Sequence, residues 1–129
     1  MSLVEIALSK YGTKYKSEYE NELGISVPKG SNWCGLFLGW CMARLQMELP
    51  DKPQVARRYL KIGEPVETPE VGDIVIFWRE SKKSWKGHVS IFIREDKENN
   101  IVYCLGGNQR GLVNITAYDS RKVLGFRRL

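Results

Sequence analysis

A chain of 129 residues, 43% hydrophobic and 27% charged, has the apolar content for one core and too little length for several domains, and this balance excludes a disordered or repeat protein. Twenty Lys and Arg against 15 Asp and Glu give a net charge of +5, but the basic residues are dispersed, with pairs at Arg57-Arg58, Lys82-Lys83 and Arg127-Arg128, so no stripe tracks a nucleic-acid backbone. No apolar run approaches about 18 residues, and Met1 to Lys10 is amphipathic with no basic segment leading into an apolar one, so neither membrane insertion nor a secretory signal is expected.

The pattern divides the chain into a helical first half and a strand-rich second half, which predicts one α+β domain over 1-129. Ser2 followed by Glu5 has the form of a capping box, and the spacing of Leu3, Ile6 and Ala7 predicts a short helix that stops by Gly12. Tyr15 to Gly30 reads as polar and turn-rich. Val27-Pro28-Lys29-Gly30-Ser31-Asn32 then announces a helix opening near Trp33. Through Met47 this helix carries two adjacent apolar stripes, Leu36, Phe37, Trp40 and Ala43 beside Cys34, Leu38, Cys41 and Leu45, so it is expected to be buried. Asp51-Lys52-Pro53 predicts a third helix, closed by Gly63, with a Pro-rich connection over 64–70. From Val71-Gly72-Asp73 onward the period changes, and about five strands are expected: Ile74 to Trp78, Val89 to Ile93, Ile101 to Leu105, Leu112 to Thr116 and Val123 to Phe126. Their short connections predict a mostly antiparallel, meandering sheet with the long helix across it.

Chemistry is concentrated at two places in this arrangement. Cys34 falls in the first turn of the buried helix, where free backbone N–H groups and the helix dipole favour a thiolate. The only histidine, His88, opens the second strand of the sheet. A hairpin centred near Glu98 pairs positions that sum to about 196, placing Ile91 by Leu105, Ile93 by Tyr103 and, to within one residue, His88 by Asn108. An amide oxygen there would hold one ring nitrogen and leave the other for a thiol. Cys41 and Cys104 read as packing, since neither has an acid, a base or a helix terminus beside it. Asp73 reads as a turn or strand cap, and Trp33 and Trp85, which flank Cys34 and His88, could wall a cleft. Three cysteines without metal-ligand spacing and a single His make a structural zinc site unexpected.

The ordered strings Asn32-Trp33-Cys34-Gly35-Leu36-Phe37, Val71-Gly72-Asp73-Ile74-Val75-Ile76-Phe77, Gly87-His88-Val89-Ser90-Ile91 and Gly106-Gly107-Asn108-Gln109 resemble the CHAP amidase/peptidase family of the NlpC-type, papain-like superfamily, within a subgroup of small bacterial and phage proteins. The likeness spans nearly the whole chain. It implies a papain-like fold and a cysteine peptidase or amidase acting on peptidoglycan through an acyl-enzyme, with Cys34 as nucleophile, His88 as base, Asn108 as orienting residue, and no metal or cofactor. Substrate contacts are expected from Asn32, Trp33 and Trp85. The resemblance departs at Gly106-Gly107, where many family members carry a Glu, and this departure motivates the alternative of a catalytically weak or inactive wall-binding module. A cysteine acyltransferase sharing the dyad is a further alternative. Expected partners are peptidoglycan or its peptide fragments and a delivery or immunity protein, with the chain cytoplasmic until released or delivered to the wall or periplasm.

Overall fold

Three α-helices and a six-stranded antiparallel sheet account for the regular structure of the computed structural model, which describes residues 1–129. Helix α1, Leu3–Leu8, starts with the expected capping box: Glu5 N–H donates to the Ser2 hydroxyl at 3.1 Å, and the Ser2 N–H donates to the Glu5 carboxylate at 2.9 Å. Helix α2, Lys16–Leu23, lies where a turn-rich segment was expected. Its own polarity does not hold it. Tyr19, fully buried, packs on Trp33, Phe37 and Trp40, and the Glu22 carboxylate accepts from the Trp40 indole and from Arg44. Gly24, at φ +68°, then ends the helix in the left-handed conformation.

Helix α3, Cys34–Arg44, is the central helix, with nine consecutive buried residues from Cys34 to Met42. The expected third helix is a turn over 52–55 and then a 3-10 segment, Ala56–Lys61, the two separated by an extended Val55 at φ −105° and ψ 113°. Its Tyr59 hydroxyl lies 2.7 Å from the Gly35 carbonyl and 2.9 Å from that of Pro53. A Cβ on Gly35 would sit 2.5 Å from the Pro53 oxygen, so the glycine admits the 53–54 segment against the first turn of α3.

The strands are β1 (Glu64–Val66), β2 (Ile74–Trp78), β3 (Gly87–Asp96), β4 (Ile101–Gln109), β5 (Leu112–Asp119) and β6 (Val123–Arg128). Their order is β1-β6-β2-β3-β4-β5, with every neighbouring pair antiparallel. β2 to β5 form the expected meander, but β6 crosses back to lie between β2 and β1, and β1 occupies part of the connection expected to be irregular. One face, with Ile74, Ile76, Val89, Ile91 and Leu105, joins the helices in the main core. The other face buries Val75, Phe77, Phe92, Val102 and Cys104. The Phe77 and Tyr118 rings are 5.0 Å apart although β3 and β4 separate their strands. A flat sheet with about 4.8 Å between neighbours would hold them roughly 14 Å apart, so the sheet curls around this second cluster.

Candidate active site

Cys34 occupies the first position of α3, and no side chain caps that helix. Its first-turn N–H groups therefore have no partner within the helix, and the positive end of the helix dipole lies at Cys34. The helix meets the sheet at the start of β3. A Cβ on Gly107 would lie 2.6 Å from Phe37 Cβ and 2.8 Å from the Trp33 ring, so only a glycine lets β4 pass this close to the mouth of α3. Cys34 is 3% exposed, yet it lines a cleft of about 540 Å³ together with Asn32, Gln54, Arg79, Trp85 and Gly87. The sulfur is thus the deep floor of an open site.

Burial acts first on the Cys34 thiol and pushes its pKa up. The His88 imidazole outweighs this through its charge and its hydrogen bonding, the Val89 backbone N–H and the Arg79 guanidinium act in the same direction, and the thiol comes down to about 7. Cys41 and Cys104, buried without such neighbours, are pushed well above the ordinary thiol value. One of three buried cysteines is tuned toward thiolate, and it is the one at the helix terminus beside the only histidine.

His88 is 1% exposed, with Tyr118 and Phe77 against its ring at 4.9 and 6.1 Å. Its Nε2 donates to Gln109 Oε1 at 3.0 Å. Ser90 Oγ lies 2.6 Å from the same nitrogen and donates to Gln109 Oε1 at 2.6 Å. The direction of these bonds follows from the far end of the glutamine. Gln109 Nε2 donates to the Cys104 carbonyl at 3.0 Å and to the Asn114 carbonyl at 2.7 Å, and a reversed amide would set oxygen against both. Gln109 Oε1 therefore faces the imidazole, Nε2 carries the hydrogen, and Nδ1 is the ring nitrogen that keeps its lone pair. The Arg79 guanidinium approaches Nδ1 to 3.5 Å.

No protein-family model matches this chain, and no curated protein matches it.

Asn108 is not at the imidazole. The β3–β4 register agrees with expectation at Ile91↔Leu105 but shifts between Phe92 and Arg94, so that Tyr103 faces Arg94 instead of Ile93, and a separate irregularity interrupts the β4–β5 pairing between Gly106 and Gln109. Asn108 takes a left-handed backbone, φ +56°, and its amide donates to Asn32 Oδ1 at 2.8 Å at the cleft rim. Rotation at the irregularity turns Gln109 inward in its place. A Cβ on Gly106 would lie 2.5 Å from Ser90 Oγ and 2.7 Å from Gln109 Oε1, so the His88-Ser90-Gln109 group fills the space a side chain at 106 would need. The double glycine, which invites a bulge, was the sequence signal that the residue after Asn108 could turn toward the sheet.

The remaining expected residues are divided. Asn32 and Trp85 line the cleft, Trp85 with 71% exposure, whereas Trp33 is buried in the core against Tyr19. Asp73 is buried away from the cleft and bonds Arg128 through both carboxylate oxygens, at 3.0 and 2.8 Å, as a structural cap. Gln54 and Arg79, which sequence reasoning passed over, both line the cleft, and the Gln54 side-chain oxygen is buried without a partner.

Proposed function

We propose that this chain is a cysteine amidohydrolase with a papain-like arrangement that cleaves an amide bond of peptidoglycan through an acyl-enzyme on Cys34. The observation that carries the reading is the one thiol held near neutrality, on the floor of a cleft, against an imidazole whose far nitrogen is fixed by a buried amide. The peptidoglycan substrate rests on the resemblance of the four ordered strings around Asn32, Gly72, His88 and Gly106. Gln109 answers the missing acid that favours a binding module, because it supplies the orienting acceptor from a different position.

In this mechanism His88 Nδ1 takes the Cys34 proton, and the thiolate attacks the amide carbonyl to give a tetrahedral oxyanion. The Cys34 backbone N–H at the uncapped helix start donates to that oxygen. His88 returns the proton to the leaving amine as the C–N bond breaks, releasing it and leaving a thioester on Cys34. Water, deprotonated by the same nitrogen, attacks the thioester, and its collapse frees the carboxylic acid and restores the thiol. Throughout, Nε2 keeps its hydrogen on Gln109 Oε1, so the proton moves at one atom only.

The test is release of new amino groups from purified sacculi, with mass spectrometry of the fragments to identify the bond. The wild-type chain is expected to release fragments and Cys34→Ala to release none while keeping its circular dichroism. Release that persists in Cys34→Ala, or that disappears only in Cys41→Ala, would overturn the assignment.

A further inference from the structure

We propose that Arg79 is a carboxylate-binding residue of the cleft, so that the preferred substrate is a peptide with a free carboxylate beside the scissile amide. This rests on the amidohydrolase reading of the same site and adds the chemical class of its substrate. Arg79 follows directly on β2 and is half-buried, yet its guanidinium forms no ion pair, and that group's one polar contact is the 3.5 Å approach to His88 Nδ1. The other half-buried arginines all have oxygen partners: Arg58 the Asp51 carboxylate, Arg57 three carbonyl oxygens, and Arg127 the carbonyls of Leu60 and Phe126. The one acidic side chain lining the cleft, Glu80, is held at 2.8 Å by Lys86, which lines it too. These two charges cancel and leave Arg79 as the uncompensated charge at the cleft floor.

A partly desolvated guanidinium without an anion is costly, and its planar fork matches a carboxylate with two parallel hydrogen bonds. The backbone that carries it is fixed before any ligand arrives. Arg79 and Ser81 form a bridge, and the Arg57 guanidinium donates to the carbonyls of Ser81, Lys82 and Lys86 at 2.7 to 2.8 Å, pinning the loop between β2 and β3. Because Arg79 touches the catalytic imidazole, the carboxylate it would hold lies within about one residue of the bond being cut, given a chain reach of about 3.5 Å per residue. A peptidoglycan stem peptide, with free carboxylates next to its amide bonds, has this character.

The experiment uses two synthetic stem tetrapeptides, one with free carboxylates and one with every carboxylate converted to a carboxamide, titrated calorimetrically into the Cys34→Ala chain so that binding is read without turnover. The acid form is expected to bind at least tenfold more tightly, the preference to vanish in Cys34→Ala with Arg79→Gln, and part of it to survive with Arg79→Lys. Equal affinity for the two peptides, no binding of either, or a preference that persists with Arg79→Gln would overturn the proposal. A shift in the pH midpoint of Cys34 alkylation in Arg79→Gln, with the acid preference unchanged, would assign Arg79 to the thiol alone and likewise overturn it. Wild-type turnover of sacculi without a carboxylate preference defeats only this inference. Failure of turnover with the preference intact defeats only the amidohydrolase reading.

Discussion

Replacing Gln109 by Ala and Asn108 by Gly separates the two amides that compete for the orienting role. Gln109→Ala removes the acceptor of His88 Nε2 and Ser90 Oγ and leaves the Cys104 and Asn114 carbonyls without the amide that bonds them. Ser90 Oγ, 2.6 Å from Nε2, can then either accept from or donate to that nitrogen, so it satisfies the ring without fixing its tautomer, and the stability cost falls on the remaining buried partners. At about 1–3 kcal/mol for each buried group left unsatisfied, a loss of about 2–4 kcal/mol is expected, a fall in Tm of roughly 10 °C for a domain of this size. With the imidazole free to change tautomer, turnover is expected to fall about 10²–10⁴-fold, the range of a general base. Asn108→Gly keeps the left-handed backbone and removes only the rim contact to Asn32, so turnover is expected to stay within a few-fold of wild type. The assay pairs amine release from sacculi with thermal denaturation and with ¹⁵N-histidine NMR, where a single histidine makes the assignment unambiguous. In the neutral wild-type chain Nε2 should carry the hydrogen, and Gln109→Ala should mix the tautomers. Loss of activity in Asn108→Gly with Gln109→Ala unaffected, or a wild-type spectrum with the hydrogen on Nδ1, would refute the reasoning.

Three further outcomes are expected. Brief iodoacetamide labelling followed by peptide mapping should modify Cys34 before Cys41 or Cys104, with a rate that climbs through about pH 7 as the thiolate forms; a midpoint in the ordinary thiol range would contradict the influence of His88. Gly106→Ala drives a methyl group into Ser90 Oγ and Gln109 Oε1, and denaturant titration should show a loss of about 1–3 kcal/mol accompanied by a loss of turnover. Burial of Asp73 favours its protonated form, but the hydrogen bonds from Arg128 and the Glu70 N–H prevail and hold its carboxyl below the ordinary carboxylate range. The unfolded chain then binds the proton more readily, so this stabilisation is complete above the ordinary carboxylate pKa of about 4 and fades as the pH falls through the folded value; Asp73→Asn should flatten that acid limb without changing turnover at neutral pH.

What the sequence made legible was local or strongly periodic. The buried helix, the five principal strands and the Ile91↔Leu105 pairing follow from apolar spacing that water enforces residue by residue. The misses are non-local. α2 is nearly all polar and is held by Tyr19 meeting three aromatic rings from a different part of the chain. β1 is a mostly exposed three-residue edge strand that exists because β6 returns from the far end of the chain to pair with it. No window of sequence contains both partners of either arrangement.

The same distinction governs the site. Cys34 and His88 were legible because each has a local marker, a helix opening and a strand opening, and antiparallel topology brings those two ends together. Which amide faces the imidazole depends on a rotation between Gly106 and Gln109 that pairing arithmetic alone cannot supply. The glycines are the physical link. Gly107 admits Trp33 and Phe37, which brings the mouth of α3 against the sheet, and Gly106 vacates the volume that Ser90 and Gln109 share. A side chain at 106 and an inward Gln109 are mutually exclusive, so the glycine at 106 and the amide that faces the imidazole are two sides of one packing constraint. It follows that a Glu placed at 106 cannot simply add a carboxylate beside the imidazole: it must first expel Gln109, and with it the bonds to Cys104 and Asn114 that fix the amide's direction.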